Sequence, residues 1–164
     1  MVSKKSPKTA RPKKNATAKP KLTPSKASRS DSLSLRSASP SYTVNDLERS
    51  LAWYRDVVGF QVEEVWKDDG KVVGVSLKAG DVSFMIGQDD WKKGRDRQKG
   101  EGFRIFCLTK GNVDRLAERI QANGGRLDHG PTDQPWGVRD ISLTDPDGFK
   151  ITIAAAKRGS QKSA

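Results

Sequence analysis

An α+β fold is what this sequence predicts: two tandem βαβββ modules forming a curled mixed sheet with a central cup, helices outside. Three observations carry it. The apolar pattern reads strand, helix and three strands, and after a polar connector it starts again. The two halves overlay at a shift of 66 residues, which puts Leu47 on Val113, Tyr54 on Ile120, Gly59 on Gly125 and Val75-Ser76-Leu77 on Ile141-Ser142-Leu143. One extra residue in the second turn moves the shift to 67, and Phe84 and Ile86 then fall on Ile151 and Ile153. Finally, Pro135 to Ile153 (PWGVRDISLTDPDGFKITI) reads as a hairpin, with Asp145-Pro146-Asp147-Gly148 supplying the turn chemistry.

In chain order, a first strand is expected from about Leu33 toward Thr43, with Pro40 at an edge or bulge. Asn45 or Asp46 caps a helix over Leu47 to Val58, whose Leu47, Leu51, Tyr54 and Val58 recur at helical spacing before Gly59 ends it. Strands follow at Phe60 to Lys67, Val72 to Leu77 and Val82 to Ile86. Residues 88–102 are too polar and Gly-rich for a core element and form the connector. In the second module a strand over Phe103 to Thr109 precedes a helix over Val113 to Asn123, which Gly124-Gly125 stops; a short strand beginning at Arg126 to Asp128 and the hairpin complete it. The predicted organisation is a basic tail at 1–31, a domain at 32–156 (modules 32–87 and 103–156) and a tail at 157–164, both tails disordered.

Composition bounds the function. Residues 1–40 hold eleven Lys or Arg and one Asp, so nearly all of the formal charge of +11 belongs to the leader and little to the foldable part. Closely spaced lysines release counterions from phosphate, so a nucleic-acid contact through residues 1–30 stands evenly against a solvated linker. No ring is interleaved with those lysines to stack on bases. An apolar run of about 7–15 residues, needed for a secretory signal, is missing, and nothing is long enough to span a membrane. The lone cysteine, Cys107, excludes an internal disulfide framework, and the cytoplasm is the expected compartment.

The doubled module, with SLAWYRDVVGF after the first strand and PWGVRDISLTDPDGFKITI at the end, resembles the vicinal oxygen chelate superfamily. That group includes glyoxalase I, extradiol dioxygenases, fosfomycin resistance proteins and bleomycin resistance proteins, and the likeness covers about Ser32 to Ala155. The resemblance implies that metal-using members carry His, Glu or Gln on the inner face of the cup, from the first and last strand of each module, holding a divalent ion that acts as a Lewis acid. The matching positions here are Ser39, Met85, Thr152 and, in the first strand of the second module, Arg104 or Ile105. A hydroxyl, a thioether and a guanidinium or alkyl group do not make such a site, so no metal and no cofactor are expected. Pairing as a homodimer is what the resemblance further implies.

Other candidates divide between chemistry and structure. Ring surface is the best sign of ligand binding, and Trp91 and Trp136, in loops beside the expected mouth, with Arg104 and Arg139 to orient an acidic group, are the predicted contacts with an organic small molecule. For each arginine a salt bridge is the competing reading. Tyr54 and Phe106 are expected in the core, and Cys107 as a small core residue. Asp89 and Asp90 are expected to pair with nearby Lys and Arg on a solvated connector, the alternative being a cation site. Asp145 and Asp147 belong to the turn. His129 reads as a solvent-exposed loop residue, against a role as gate or proton carrier. The predicted function is metal-independent binding, as in drug or metabolite sequestration. The alternatives are a lyase, isomerase or dioxygenase with ligands relocated to Asp89, Asp90 or His129, and a nucleic-acid-associated protein acting through its leader.

Overall fold

The computed structural model describes residues 36–157; the leader, the Leu33 start of the first strand and the residues past 157 lie outside that range. Two βαβββ modules follow one another. The first runs β1 (Ser41–Val44), α1 (Leu47–Ala52), β2 (Gln61–Asp68), β3 (Lys71–Ala79) and β4 (Val82–Gln88). The second runs β5 (Arg104–Thr109), α2 (Val113–Ala122), β6 (His129–Asp133), β7 (Val138–Thr144) and β8 (Lys150–Ala156). Each has its own four-stranded mixed sheet, ordered β1-β4-β3-β2 and β5-β8-β7-β6. In both, the first strand pairs parallel to the last and the remaining pairs are antiparallel.

The sequence repeat reappears as strand register. Val75 opposite Ile86 and Leu77 opposite Phe84 in the first sheet correspond to Ile141 opposite Ile153 and Leu143 opposite Ile151 in the second. Because side chains alternate between faces, this shared register buries the same set in each sheet: Val75, Leu77, Phe84 and Ile86, and Ile141, Leu143, Ile151 and Ile153. These faces join Tyr54 and Val58 of the first module and Val113, Ala117 and Ile120 of α2 in one apolar core. Burying each large side chain contributes roughly 1.5–3 kcal/mol.

Asp46, not Asn45, caps α1, accepting the Arg49 N–H at 2.9 Å; Asn112 caps α2 by accepting from Arg115 at 3.0 Å. The first helix does not stay α-helical. Residues Trp53–Val58 widen into π-turns that end at Gly59 (φ 100°), whose N–H bonds the Tyr54 carbonyl at 3.0 Å. The end of α2 packs there: Arg119 donates to the Val58 carbonyl at 3.1 Å and Asn123 to the Asp56 carbonyl at 3.0 Å.

The hairpin turn is built by Asp145, whose Oδ1 accepts the N–H groups of Asp147 (2.9 Å) and Phe149 (2.8 Å). The same turn grips the first module, since Asp147 accepts the Asn45 N–H at 2.8 Å and the Phe149 ring lies 4.2 Å from that of Tyr42. The short strand expected to begin within Arg126 to Asp128 starts one residue later: the pairing segment is His129–Asp133, and the Asp128 N–H already bonds the Ser142 carbonyl at 2.8 Å. Pro131 disguised it. β6 is the outer strand of its sheet, where a residue without an N–H costs no ladder bond, and a register shift between His129 and Thr132 accommodates it.

Candidate ligand-binding site

Both sheets turn one face to the helices and core and leave the other free of helices. In β5, Ile105 and Cys107 are buried on the core side, so Arg104, Phe106 and Leu108 alternate onto the helix-free face, where Phe106 is 52% and Leu108 69% exposed. Phe106, expected in the core, lies outside it for this reason of parity. On β8 the helix-free positions are Lys150, Thr152, Ala154 and Ala156, and on β7 they include Asp140, Ser142 and Thr144. In the first sheet they are Ser41 and Thr43 on β1, Ser83, Met85 and Gly87 on β4, and Gly74 and Ser76 on β3. Trp66 of β2 lies over Gly74, where a Cβ would meet its ring at 2.9 Å.

Of the positions implied for metal ligands, Met85, Thr152 and Arg104 fall on this face by parity, and Ile105 does not. Ser39 bonds Ser83, Oγ to Oγ, at 3.1 Å, and Met85 stands opposite Ser41 and Ser76. Of the two alternatives in the second module, Ile105 points into the core and Arg104 outward, where its Nη1 donates to Thr152 Oγ1 at 2.6 Å. The residues do not fit a divalent ion. Two hydroxyls, a thioether and a guanidinium offer no carboxylate, imidazole or thiolate to such an ion, and the guanidinium bonded to Thr152 carries its own positive charge.

Arg139 lies on the other face. Its parity places it with Ile141 and Leu143, and it bonds Asp114 of α2 through Nε (3.0 Å) and Nη2 (2.7 Å) and Asp133 through Nη1 (3.1 Å). These carboxylates raise the guanidinium's pKa; it lowers that of Asp114, and Lys157 together with it lowers that of Asp133. It is therefore engaged in a salt-bridge network and not directed at the helix-free face. Trp136 is 68% exposed at the β6–β7 turn, beside the Val138 and Ala156 end of the sheet, whereas Arg104 pairs with Lys150 at the other end of β8. Six residues of strand separate those ends, about 20 Å. His129 is exposed but belongs to β6, opposite Ser142, with Gln134 3.5 Å away.

The connector is folded around Asp89, which sequence reasoning placed on a solvated segment. Asp89 continues the helix-free parity of β4, and its side chain is only 3% exposed. It takes the Trp91 N–H at 2.8 Å, the Thr43 hydroxyl at 3.3 Å and short ion pairs from Arg97 and Lys99. Lys99 and the Trp91 amide hold its carboxyl well below the usual carboxylate range. Trp91 occupies the left-handed region (φ 60°), which bulky residues rarely adopt, with the Arg95 guanidinium 4.7 Å and the Lys99 ammonium 5.8 Å from its ring. Asp90 pairs with Lys92 in solvent, as expected. Further along, Gly100 touches the hairpin turn, where a Cβ would lie 2.1 Å from the Gly148 carbonyl oxygen.

Between connector and turn opens a cavity of about 730 Å³, lined by Arg97, Lys99, Arg104 and Lys150 together with Glu101, Asp147 and Asn45 among others. Arg104, an expected contact, is among the lining residues, whereas Lys99 and Lys150 were not singled out from the sequence. Lys150 was legible in principle, because it alternates with Ile151 on the strand after the turn.

Comparison with known proteins agrees with this architecture. Lactoylglutathione lyase of Salmonella typhimurium is 27% identical over 120 residues, which cover 70% of this chain and 87% of that protein. A probable chloroplastic lactoylglutathione lyase of Arabidopsis thaliana is 24% identical over 68% of this chain, which spans only 33% of it. Among solved structures, a glyoxalase/bleomycin resistance protein/dioxygenase from Nocardioides superposes with a TM-score of 0.62 at 17% identity, over 82% of this chain and 93% of that one. TioX from Micromonospora sp. ML1 superposes at 0.59 with 18% identity, over 74% and 96%. Residues 36–153 match the family model of these proteins, and the chain belongs to the Glyoxalase/Bleomycin resistance protein/Dioxygenase superfamily.

Proposed function

We propose that this chain is a cytoplasmic, metal-independent small-molecule-binding protein of the glyoxalase/bleomycin resistance type, which encloses an organic ligand on its helix-free sheet faces and carries out no chemical step on it. One observation supports this most directly: Arg104, at a metal-ligand position, donates to Thr152 at another, at 2.6 Å. The four positions hold hydroxyl, thioether and guanidinium groups, which bind by hydrogen bond and contact, not by coordination. Enclosure calls for a cover. The exposed Phe106 and Leu108 beside Arg104 give each chain an apolar face to lay against a second copy, and a two-fold pairing repeats the contact. Rings line such a site and Arg104 orients an acidic group on the ligand.

The test is metal analysis of the purified, dialysed full chain, with an assay of lactoylglutathione lyase activity before and after adding Ni²⁺ or Zn²⁺. Sub-stoichiometric metal and no activity are expected; a stoichiometric divalent ion or metal-dependent turnover overturns the reading. The lyase reading is second, favoured by the 27% identity to the Salmonella typhimurium enzyme. Of the relocated ligands it would need, Asp89 is already occupied by two cations. A role of the basic leader in nucleic-acid contact is a separate property, tested by removing residues 1–31 and measuring DNA affinity at two salt concentrations.

A further inference from the structure

We propose that the cavity between the connector and the β7–β8 turn is a binding site for an anionic group, a phosphate or carboxylate on a small molecule, held between Arg104 and Lys150. The inference rests on reading the helix-free face as the ligand-binding one, and it adds Lys150 and a charge class to that reading. Arg104 and Lys150 stand directly opposite each other in the β5–β8 ladder and share a face. Like charges so placed repel, and among the described residues neither has a carboxylate within salt-bridge distance. An anion between them converts that repulsion into two charge-assisted hydrogen bonds.

The rest of the lining points the same way. Arg97 and Lys99 share the single carboxylate of Asp89, which leaves one positive charge of that trio uncompensated. Asp147 is turned to the Asn45 N–H at 2.8 Å. Glu101 is the one lining carboxylate without a partner here, and it competes with the ligand.

The experiment is calorimetric titration of the full chain at fixed ionic strength with three probes: inorganic phosphate, 2-naphthyl phosphate and 2-naphthol. Phosphate and naphthyl phosphate are expected to bind, Lys150→Gln and Arg104→Gln to weaken both at least tenfold, and Glu101→Gln to tighten both. Naphthol, which lacks the anionic group, should lose much less affinity than naphthyl phosphate in Lys150→Gln and Arg104→Gln. Anion binding unchanged in Lys150→Gln and Arg104→Gln belongs to the basic leader and overturns the assignment, as does the absence of any anion binding. If naphthol binds and neither anion does, the anion site falls while organic-ligand binding stands. If phosphate binds through Lys150 and the naphthyl ring adds nothing, the anion site stands and enclosure of a ring falls.

Discussion

The Tyr54 hydroxyl donates to Asp145 Oδ2 at 2.8 Å, inside the protein, and lies 2.8 Å from the hydroxyl of Tyr42. This bond ties the first module's helix to the second module's turn. Tyr54 reaches it from the π-helical segment, and Asp145 spends its other oxygen on the turn's own N–H groups. Burial pushes the Tyr54, Tyr42 and Asp145 pKa values up, so both phenols stay protonated and able to donate at neutral pH.

Tyr54→Phe removes the donor and leaves a buried carboxylate oxygen unpaired, an expected loss of about 1–3 kcal/mol. Denaturant unfolding measures it. The loss should be strongly non-additive with Asp145→Asn; additive losses would mean that the two side chains act independently.

Asp89 predicts an acid limb. Its folded-state pKa lies below the ordinary 3.8, so its contribution is present above about that pH and lost as pH falls toward the folded value. Asp89→Asn should lower the unfolding midpoint at pH 7 by leaving Arg97 and Lys99 facing one another, and the gap to the parent should narrow between pH 4 and pH 2. A gap independent of pH would show that the carboxylate's charge is not what holds the connector. Asp145 acts with the opposite sign: its raised pKa favours the folded state in acid and the benefit fades as pH rises, equally in both proteins.

Two glycines of the connector separate strain from contact. Gly100→Ala meets the Gly148 carbonyl and must also hold a positive φ of 71°, whereas Gly94→Ala faces open space at φ 88°. Gly94→Ala should cost about 1 kcal/mol, backbone strain alone. Gly100→Ala should cost distinctly more and make residues 92–98 cleavable by trypsin in the folded protein; equal costs would remove the connector–turn contact from the account.

Leu108→Glu and Phe106→Glu place charge on the face expected to meet a second copy. Sedimentation of the parent should give a dimer and of the double variant a folded monomer. A monomeric parent at about 100 μM, where a dimer with Kd near 1 μM would be nearly complete, would dismiss the pairing.

Much of this architecture was legible because its signals are local. The 66- and 67-residue shifts anticipated the ladder pairs, since matching apolar positions must face the core at matching registers. Asp46, one of the two candidate caps, and Gly59 marked the ends of the first helix by their chemistry. The π-turns left no trace, because Tyr54 and Val58, four apart, fit either winding. The face of each arginine was countable in advance: Arg139 shares parity with Ile141 and Leu143, and Arg104 is opposite in parity to Ile105 and Cys107. The pairing of Asp89 with Arg97 was anticipated from their closeness in sequence, but its burial and its second partner, Lys99, were not, because they arise only once the connector has folded back on itself.

The outer strands of the two sheets carry a last consequence. β2 ends one sheet with Glu63, Glu64, Lys67 and Asp68 along its length, and β6 ends the other with Pro131 and an irregular register. Charge on one flank and a missing donor on the other discourage strand addition. Apolar residues such as Phe106 and Leu108 can thus stay exposed on the open faces without the sheet edges seeding fibres.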